Sequence, residues 1–380
     1  MILPPATIGV LGGGQLGRYF VLAAHKLGYR VVVLDPDQHS VAGQIADKHI
    51  IAAYDDVAAL NQMAATCAAV TTEFENIPAD TLDYLAGYIP VRPNADAVRI
   101  SQNRSREKGF LQANDIPHAA SLNITNEQDI LMSPADLYPG IIKLASSGYD
   151  GKGQQIVENK SEALAAFNQF NAQRCVLEKK LELDYEVSVV LARGEDGNIA
   201  FFPAAQNLHK NGILDVSVMP APALPDHLKV EAERIARLIA ERMNYIGTMA
   251  VEFFVSGGQL LVNEIAPRPH NSGHATMDAC YTSQFEQQVR ALCGLPLGDS
   301  RTHSSGIMVN ILGDQWYQGT DGQTNTPDWH ALLSIPALKL HLYGKEEPRP
   351  GRKMGHFTIL TEQSEGWDKI VATARQKLSA

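Results

Sequence analysis

Two glutamates, Glu252 and Glu264, stand inside apolar, β-favouring runs at 251–255 (VEFFV) and 259–265 (QLLVNEI). A carboxylate within a run that otherwise reads as buried is costly unless a cation meets it, and two close together repel. A divalent cation relieves both costs, and Mg²⁺ commonly takes one or two carboxylates together with substrate phosphates. The runs join at Ser256, Gly257 and Gly258, a hairpin signal. Side chains alternate along a strand, so a strict two-residue loop sets Glu252 opposite Asn263 and turns Glu264 to the other face. The metal reading therefore predicts one irregularity, a three-residue loop or a bulge, that brings both carboxylates to one face. The alternative is a pair of solvated acids on an edge strand. Asn263, Arg268, His270, Asn271 and His274 follow closely and concentrate charge and hydrogen-bonding capacity at the same point.

A second segment points to phosphate chemistry. Residues 139–144 (PGIIKL) read as a strand carrying Lys143, and they run into Ser146-Ser147-Gly148-Tyr149-Asp150-Gly151-Lys152-Gly153-Gln154. Gly148, Gly151 and Gly153 let backbone N–H groups approach phosphate oxygens, while Lys143 and Lys152 bring charge to a transferring phosphoryl group. A Walker loop needs Gly-Lys-Ser/Thr and then a helix, whereas 154–157 (QQIV) read as a returning strand. A glycine hairpin that folds over a nucleotide fits better than a P-loop.

These groups need elements to hold them. Residues 7–11 form a strand, 12–17 (GGGQLG) a glycine turn, 15–27 a helix, and 30–34 a second strand ending at Asp35, 18 residues past Gly17. That βαβ start matches the dinucleotide fingerprint, so an NAD(P)-dependent oxidoreductase stays open; a helix N-terminus suits any anion and does not choose between ligands. A buried strand at 68–70 is followed by Thr71-Thr72-Glu73-Phe74-Glu75-Asn76, the strand end where open α/β sheets place ligand groups. Residues 94–101 read as a connection, and a helix capped by Ser101 carries Arg104 and Lys108 on one face. Strands at 175–181 and 184–190, a helix at 226–243 and a helical stretch at 276–294 follow, then strands near 306–312, 337–343 and 356–360. Between the last two, Lys345, Arg349, Arg352 and Lys353 sit among turn residues, as a solvated loop or a phosphate clamp.

With 380 residues the chain has room for two or three domains. Its 32 basic and 42 acidic residues give a net charge of -10, which argues against a nucleic-acid-binding surface. Cys67, Cys175, Cys280 and Cys293 are scattered and read as reduced thiols of a cytosolic protein. The first residues lack the features of a signal peptide, and no apolar run approaches the roughly 20 residues that span a bilayer. The expectation is a soluble cytoplasmic enzyme acting on small molecules, with neither membrane nor nucleic acid as partner.

Glu252 with the run 263–274 (NEIAPRPHNSGH) resembles the ATP-grasp carboxylate–amine ligases, and among them the enzymes that carboxylate 5-aminoimidazole ribonucleotide in purine biosynthesis. The resemblance extends over nearly the whole chain. It implies an α/β fold, α+β in its middle part: a Rossmann-like domain at 1–100, an ATP-grasp domain at 101–300 with a glycine-rich lid at about 115–183, and a small β-rich domain at 301–380. It implies ATP and Mg²⁺, two ions with Mn²⁺ as an alternative, bicarbonate and the ribonucleotide as substrates, and a homodimer. Glu252 and Glu264 become the metal ligands, and Arg268, His270 and Asn271 the binders of bicarbonate or carboxyphosphate. Asp150 becomes the candidate base and Lys152 a catalytic charge. The nucleotide falls to Arg104, Lys143, the 148–154 segment, Glu178, Lys179, Lys180, Leu181, Glu186, His209, Asn263 and Glu264. From residues alone, 178–181 and Glu186 read equally as alternating exposed positions. The ribonucleotide falls to Gln15, Leu16 and Glu73, with Lys345 and Arg352 as its phosphate clamp. The chain departs from the family pattern at Thr72, at 144–147 (LASS) and at Gln206, where the family has Tyr, more basic residues and Glu respectively. Formate-dependent glycinamide ribonucleotide transformylase is the nearest rival.

Overall fold

The structure is a computed structural model and describes residues 1–146, 153–317 and 324–378. Its first part is a four-stranded parallel sheet built from Lys48–Ile50, Arg30–Leu34, Thr7–Leu11 and Val70–Thr72 in that spatial order. The middle strands read as continuous aliphatic runs because helices cover both faces, as parallel sheets require. The helix Gln15–Lys26 leaves the glycine turn directly, so its free N–H groups face the C-terminal edge of the sheet.

One helix, Ala95–Ser101, replaces the connection expected at 94–101, and the helix expected from Ser101 begins at Arg104. Ala95–Ser101 is capped by the Asn94 side chain, which accepts from the Ala97 N–H, and Arg104–Ala113 is capped by Asn103, which accepts from Arg106. Ser101 therefore ends one helix instead of starting the next: its hydroxyl bonds back to the Ala97 carbonyl at 3.2 Å. Ser and Asn are comparable caps, and the choice between them was settled by the turn at 102–103.

A separate antiparallel sheet takes Ser121–Ile124, Cys175–Lys179, Gly140–Leu144 and Gln154–Val157 in that order. Behind it, the helix Lys160–Gln169 buries Ala163, Ala166 and Phe167. The remaining strands form one nine-stranded sheet. Gln259–Ala266, Gly247–Ser256, Tyr185–Arg193, Ala205–Lys210 and Ile213–Met219 continue without a break into Ser305–Leu312, Lys353–Thr361 and Leu338–Leu342, and the ninth strand, Ile199–Phe201, pairs with Tyr185–Arg193 off this path. The Asp226–Arg242 helix lies on this sheet through Leu228, Ala232, Ile235, Ala236 and Ile239. The stretch read as helical over 276–294 is two helices, Thr276–Ala279 and Gln284–Cys293, the second closed by Gly294 at φ +66°. Among the described residues no helix is long and apolar enough to cross a membrane.

Candidate active site

The hairpin that carries the acid pair closes on Gly257 and Gly258, both at positive φ (+54° and +73°), where glycine avoids the Cβ clash. Ser256 pairs with Gln259 across this two-residue loop, and the ladder stays regular up to Phe253 and Val262. There the register shifts, Asn263 is the extra residue, and Glu252 pairs with Glu264. This is the expected irregularity, taken up by a bulge, and it brings both carboxylates into one cleft. Glu252 Oε1 lies 2.8 Å from His270 Nε2. Burial would raise Glu252, but His270 first, then His209 and Arg268, hold it well below the usual carboxylate range. Glu264 shifts the other way: burial and then the charge of Glu252 raise it against the pull of Arg104, whose Nη1 is 3.7 Å away. Some 40% of the Glu264 side chain nonetheless faces the cleft. Acids forced apart in this way suit a shared divalent cation, which holds both ionised.

The loop after the hairpin is pinned from below. Gln284 accepts from the His270 N–H (2.8 Å) and donates to its carbonyl (2.7 Å), while His270 Nδ1 meets the Ser272 hydroxyl at 2.8 Å. Asn271 is buried at the cleft wall, and among the described residues neither its amide oxygen nor its nitrogen has a hydrogen-bond partner. Both groups are open to an oxyanion or a nucleotide. Arg268 donates from Nε and Nη2 to the carboxylate of Glu75, the Nη2 contact at 3.1 Å, and from Nη1 to the Pro269 carbonyl at 3.1 Å. Burial opposes ionisation of Glu75, yet Arg268 holds its carboxyl down at about 2. His274 is turned away from the cleft: it stacks on His356 at 4.4 Å, and His356 on His341 at 4.6 Å, beneath the site.

On the opposite wall, Lys143 Nζ lies 3.0 Å from the buried Glu178 carboxylate, and Lys108 Nζ 3.7 Å from the same oxygen. Burial pushes Lys143 down although Glu178 opposes it; Lys143 and Lys108 together hold Glu178 down against burial. Glu178 Oε1 has no hydrogen-bond partner among the described residues, which leaves one acceptor for a ligand. Arg104 and Lys108 do share a helix face, with Lys108 also donating to the Asn263 carbonyl at 3.0 Å. Lys179 points elsewhere, donating from Nζ to the Tyr138 carbonyl, and the Lys180 N–H is taken by Pro139; Leu181 is half-buried. Gln154 lines the cleft and pairs with Lys143 in the sheet. Gly153 is at φ +71°, and its carbonyl accepts from Leu144. Gly148, Tyr149, Asp150, Gly151 and Lys152 lie outside the described residues. Glu186 and His209 form an ion pair at 3.0 Å, and burial of His209 is outweighed by Glu186, which raises it. Glu186, His209 and Glu252 place one donor atom each within 4.8 Å of one another. This second set contains an imidazole nitrogen, and Mg²⁺ prefers the all-oxygen pair of Glu252 and Glu264.

The glycine turn excludes the dinucleotide reading. Gly13 N–H donates to Asp35 Oδ2 at 2.6 Å, while Gly14 and Gly17 donate to the two oxygens of Glu73 at 2.7 and 2.8 Å. The chain's own acids thus fill the anion position that a pyrophosphate would need. A Cβ on Gly14 would stand 2.5 Å from Glu73, so the absence of side chain there serves this internal contact. Glu73 and Phe74 stand between two hollows, one of about 460 Å³ against the N-terminal sheet and one of about 580 Å³ that is the cleft described above. Lys345 reaches the first from the far side, donating to Gln15 Oε1 (2.9 Å) and to the Lys353 carbonyl (2.8 Å). Burial first, then Arg352, push Lys345 down to about 8. Arg352 lines the same hollow, with Nη1 on the Glu347 carbonyl at 2.7 Å. The Leu16 side chain packs with Tyr19, Phe285 and Tyr343.

Three further residues matter that sequence reasoning passed over. Glu107 accepts from the Ile265 N–H at 2.7 Å beside the bulge, and burial, reinforced by Glu264 against Lys108, raises it to about 7. Its place one turn from Arg104 and next to Lys108 was the available signal. Gln284 and Glu75 act across 14 and 193 residues of chain, and no local pattern reveals such partners.

An acid pair on a bulged hairpin, faced across a cleft by a small antiparallel sheet bearing Lys143 and Glu178, defines an ATP-grasp enzyme. Family models agree: the ATP-grasp domain matches residues 109–285, the ribonucleotide synthetase preATP-grasp domain 5–102, and the phosphoribosylaminoimidazole carboxylase C-terminal domain 306–369. The chain is 42% identical to the N5-carboxyaminoimidazole ribonucleotide synthase of Brucella melitensis over 363 residues, 93% of this chain and 96% of the relative. It is similar to the Staphylococcus aureus synthetase complexed with ADP (TM-score 0.90, 36% identity, 98% of both chains). It is also similar to the Aspergillus clavatus synthase in complex with ADP and 5-aminoimidazole ribonucleotide (TM-score 0.87, 28% identity, 98% of both chains). The chain belongs to the N5-carboxyaminoimidazole ribonucleotide synthase family.

Proposed function

We propose that this chain uses ATP and bicarbonate to carboxylate 5-aminoimidazole ribonucleotide, giving N5-carboxyaminoimidazole ribonucleotide, ADP and phosphate. One observation carries the reading. The bulge at Asn263 puts Glu252 and Glu264 in one cleft beside Arg268 and His270, and Glu73 joins that cleft to the hollow held by Lys345. Bicarbonate is a poor electrophile, so its oxygen first attacks the γ-phosphoryl group and ADP leaves, forming carboxyphosphate. This breaks down to phosphate and CO₂, which the exocyclic amine captures with loss of a proton.

Phosphoryl transfer asks for positioning and charge neutralisation. Glu252 and Glu264 would hold Mg²⁺, two ions with Mn²⁺ as an alternative, and the ion charge would offset that of the phosphate oxygens. In this reading Arg268, His270 and Asn271 hold bicarbonate and then carboxyphosphate. Lys143, Lys152 and His209 face the phosphates, with Arg104 set on their side, and Glu178 through Leu181 and Glu186 bind adenine and ribose. The 148–154 segment covers the nucleotide and excludes water, and Asp150 takes the amine proton. Gln15, Leu16 and Glu73 bind the ribonucleotide, with Lys345 and Arg352 on its phosphate. The buried free cysteines suit the cytoplasm, and the family resemblance supports a homodimer of this chain as its assembly.

The test is phosphate release from ATP. It should require both bicarbonate and aminoimidazole ribonucleotide, and formate with glycinamide ribonucleotide should not substitute. Glu264→Ala should lose about 3 kcal/mol of transition-state stabilisation, roughly a hundredfold in kcat. Ordinary turnover by that variant would refute the mechanism.

A further inference from the structure

Arg268 carries five N–H donors in a planar fork. Glu75 takes the Nε and Nη2 edge and the Pro269 carbonyl one donor of Nη1. Among the described residues this leaves one donor on each terminal nitrogen, enough to meet a carboxylate-like anion through two hydrogen bonds. Glu75 is itself held by its backbone, since the Gln102 side-chain amide donates to its carbonyl at 2.6 Å and also to the Ile77 carbonyl. The Thr72 hydroxyl fixes the same loop through the Phe74 carbonyl at 2.9 Å. Two residues before Glu75, Glu73 caps the Gln15–Lys26 helix beside the hollow that Lys345 enters. One short, tied-down loop therefore touches both half-sites.

We propose that Glu75 is a positioning residue: it holds the Arg268 guanidinium by its side edge so that the remaining Nη1 and Nη2 donors are presented to bicarbonate, in register with the ribonucleotide hollow on the other side of Glu73. This rests on the reading of Arg268 as the bicarbonate binder. The arrangement also accounts for an acid placed beside the cation that must attract an anion. Without Glu75 the guanidinium gains charge to offer but loses its fixed orientation, and misplacement by about an ångström outweighs the electrostatic gain.

The experiment is steady-state kinetics of Glu75→Gln and Glu75→Ala, with thermal unfolding of each variant to establish folding. The KM for bicarbonate should rise by about tenfold to a hundredfold, the KM for ATP should stay within about twofold, and Glu75→Gln should lose less than Glu75→Ala because one oxygen still accepts. A bicarbonate KM that falls would mean Glu75 merely occupies the anion's place and would overturn the proposal. Equal losses for ATP, ribonucleotide and bicarbonate with a lowered Tm would reduce Glu75 to a structural tie, and that too overturns it. If either variant alone fails to fold, the other decides. Failure of the functional reading itself would show in the unmodified enzyme, as turnover indifferent to bicarbonate.

Discussion

Lys345 is held where its charge is hard to keep. Burial and Arg352 bring it down to about 8 from the usual lysine value, while Glu73 pulls the other way. A phosphate clamp needs the ammonium form, so the KM for the ribonucleotide should climb as pH rises through 8, roughly tenfold per unit above the pKa, with the KM for ATP flat. Lys345→Arg should flatten that climb; a profile unchanged by the substitution would separate Lys345 from the phosphate. Glu107 titrates with the opposite consequence. Its folded value near 7 exceeds the ordinary 4.5, so the native state binds the extra proton and stability falls as pH rises across that window. Glu107→Gln keeps an acceptor for Ile265 and removes the buried charge. It should match the parent near pH 4, below both values, and exceed it by about 3 kcal/mol near pH 8 in thermal or urea unfolding without added metal. At this scale the sequence was informative wherever a charge broke an apolar period, as Glu252 and Glu264 do. It was silent where a residue works through a distant partner: nothing near Glu75 announces Arg268, and nothing near Asp35 shows that it will close on Gly13.

The hairpin from Gly247 to Ala266 depends on a single unpaired residue. Inserting one alanine between Asn263 and Glu264 should set the new residue opposite Glu252, turn Glu264 to the other face and leave the hairpin paired up to Phe253 and Val262. Calorimetric titration with ADP and Mg²⁺ should then show affinity reduced by at least about tenfold with the circular dichroism spectrum unchanged. Undiminished metal-dependent binding would dissociate Glu264 from the cation. This element was legible because period-2 arithmetic forces the bulge once both acids are required on one face. The helix Ala95–Ser101 was not. Seven residues with only three buried positions give little periodic signal, and Asn94 reads as easily as a turn as it does as a cap. The break at Cys280–Ser283 escaped for the same reason.

At the scale of the molecule, the surprise is the unbroken sheet. Pattern reading found the C-terminal strands but could not say which edge they join, since strand partners across about 90 residues leave no local trace. Ile213–Met219 pairs with Ser305–Leu312, and Val216 and Val218 share a core with Ile307, Val309, Phe357 and Ile359. Residues 1–300 expressed alone should therefore expose an open strand edge and that apolar face. They should aggregate, or elute as large species in size-exclusion chromatography, whereas a freestanding C-terminal unit would leave them monodisperse. The same continuity has a chemical outcome. Lys345 lies on the connection between Leu338–Leu342 and Lys353–Thr361, two strands of the span that also carries Glu252. Under the proposed reading, the distance from the cation to the ribonucleotide's phosphate would thus be a gauge length woven into the backbone by strand pairing.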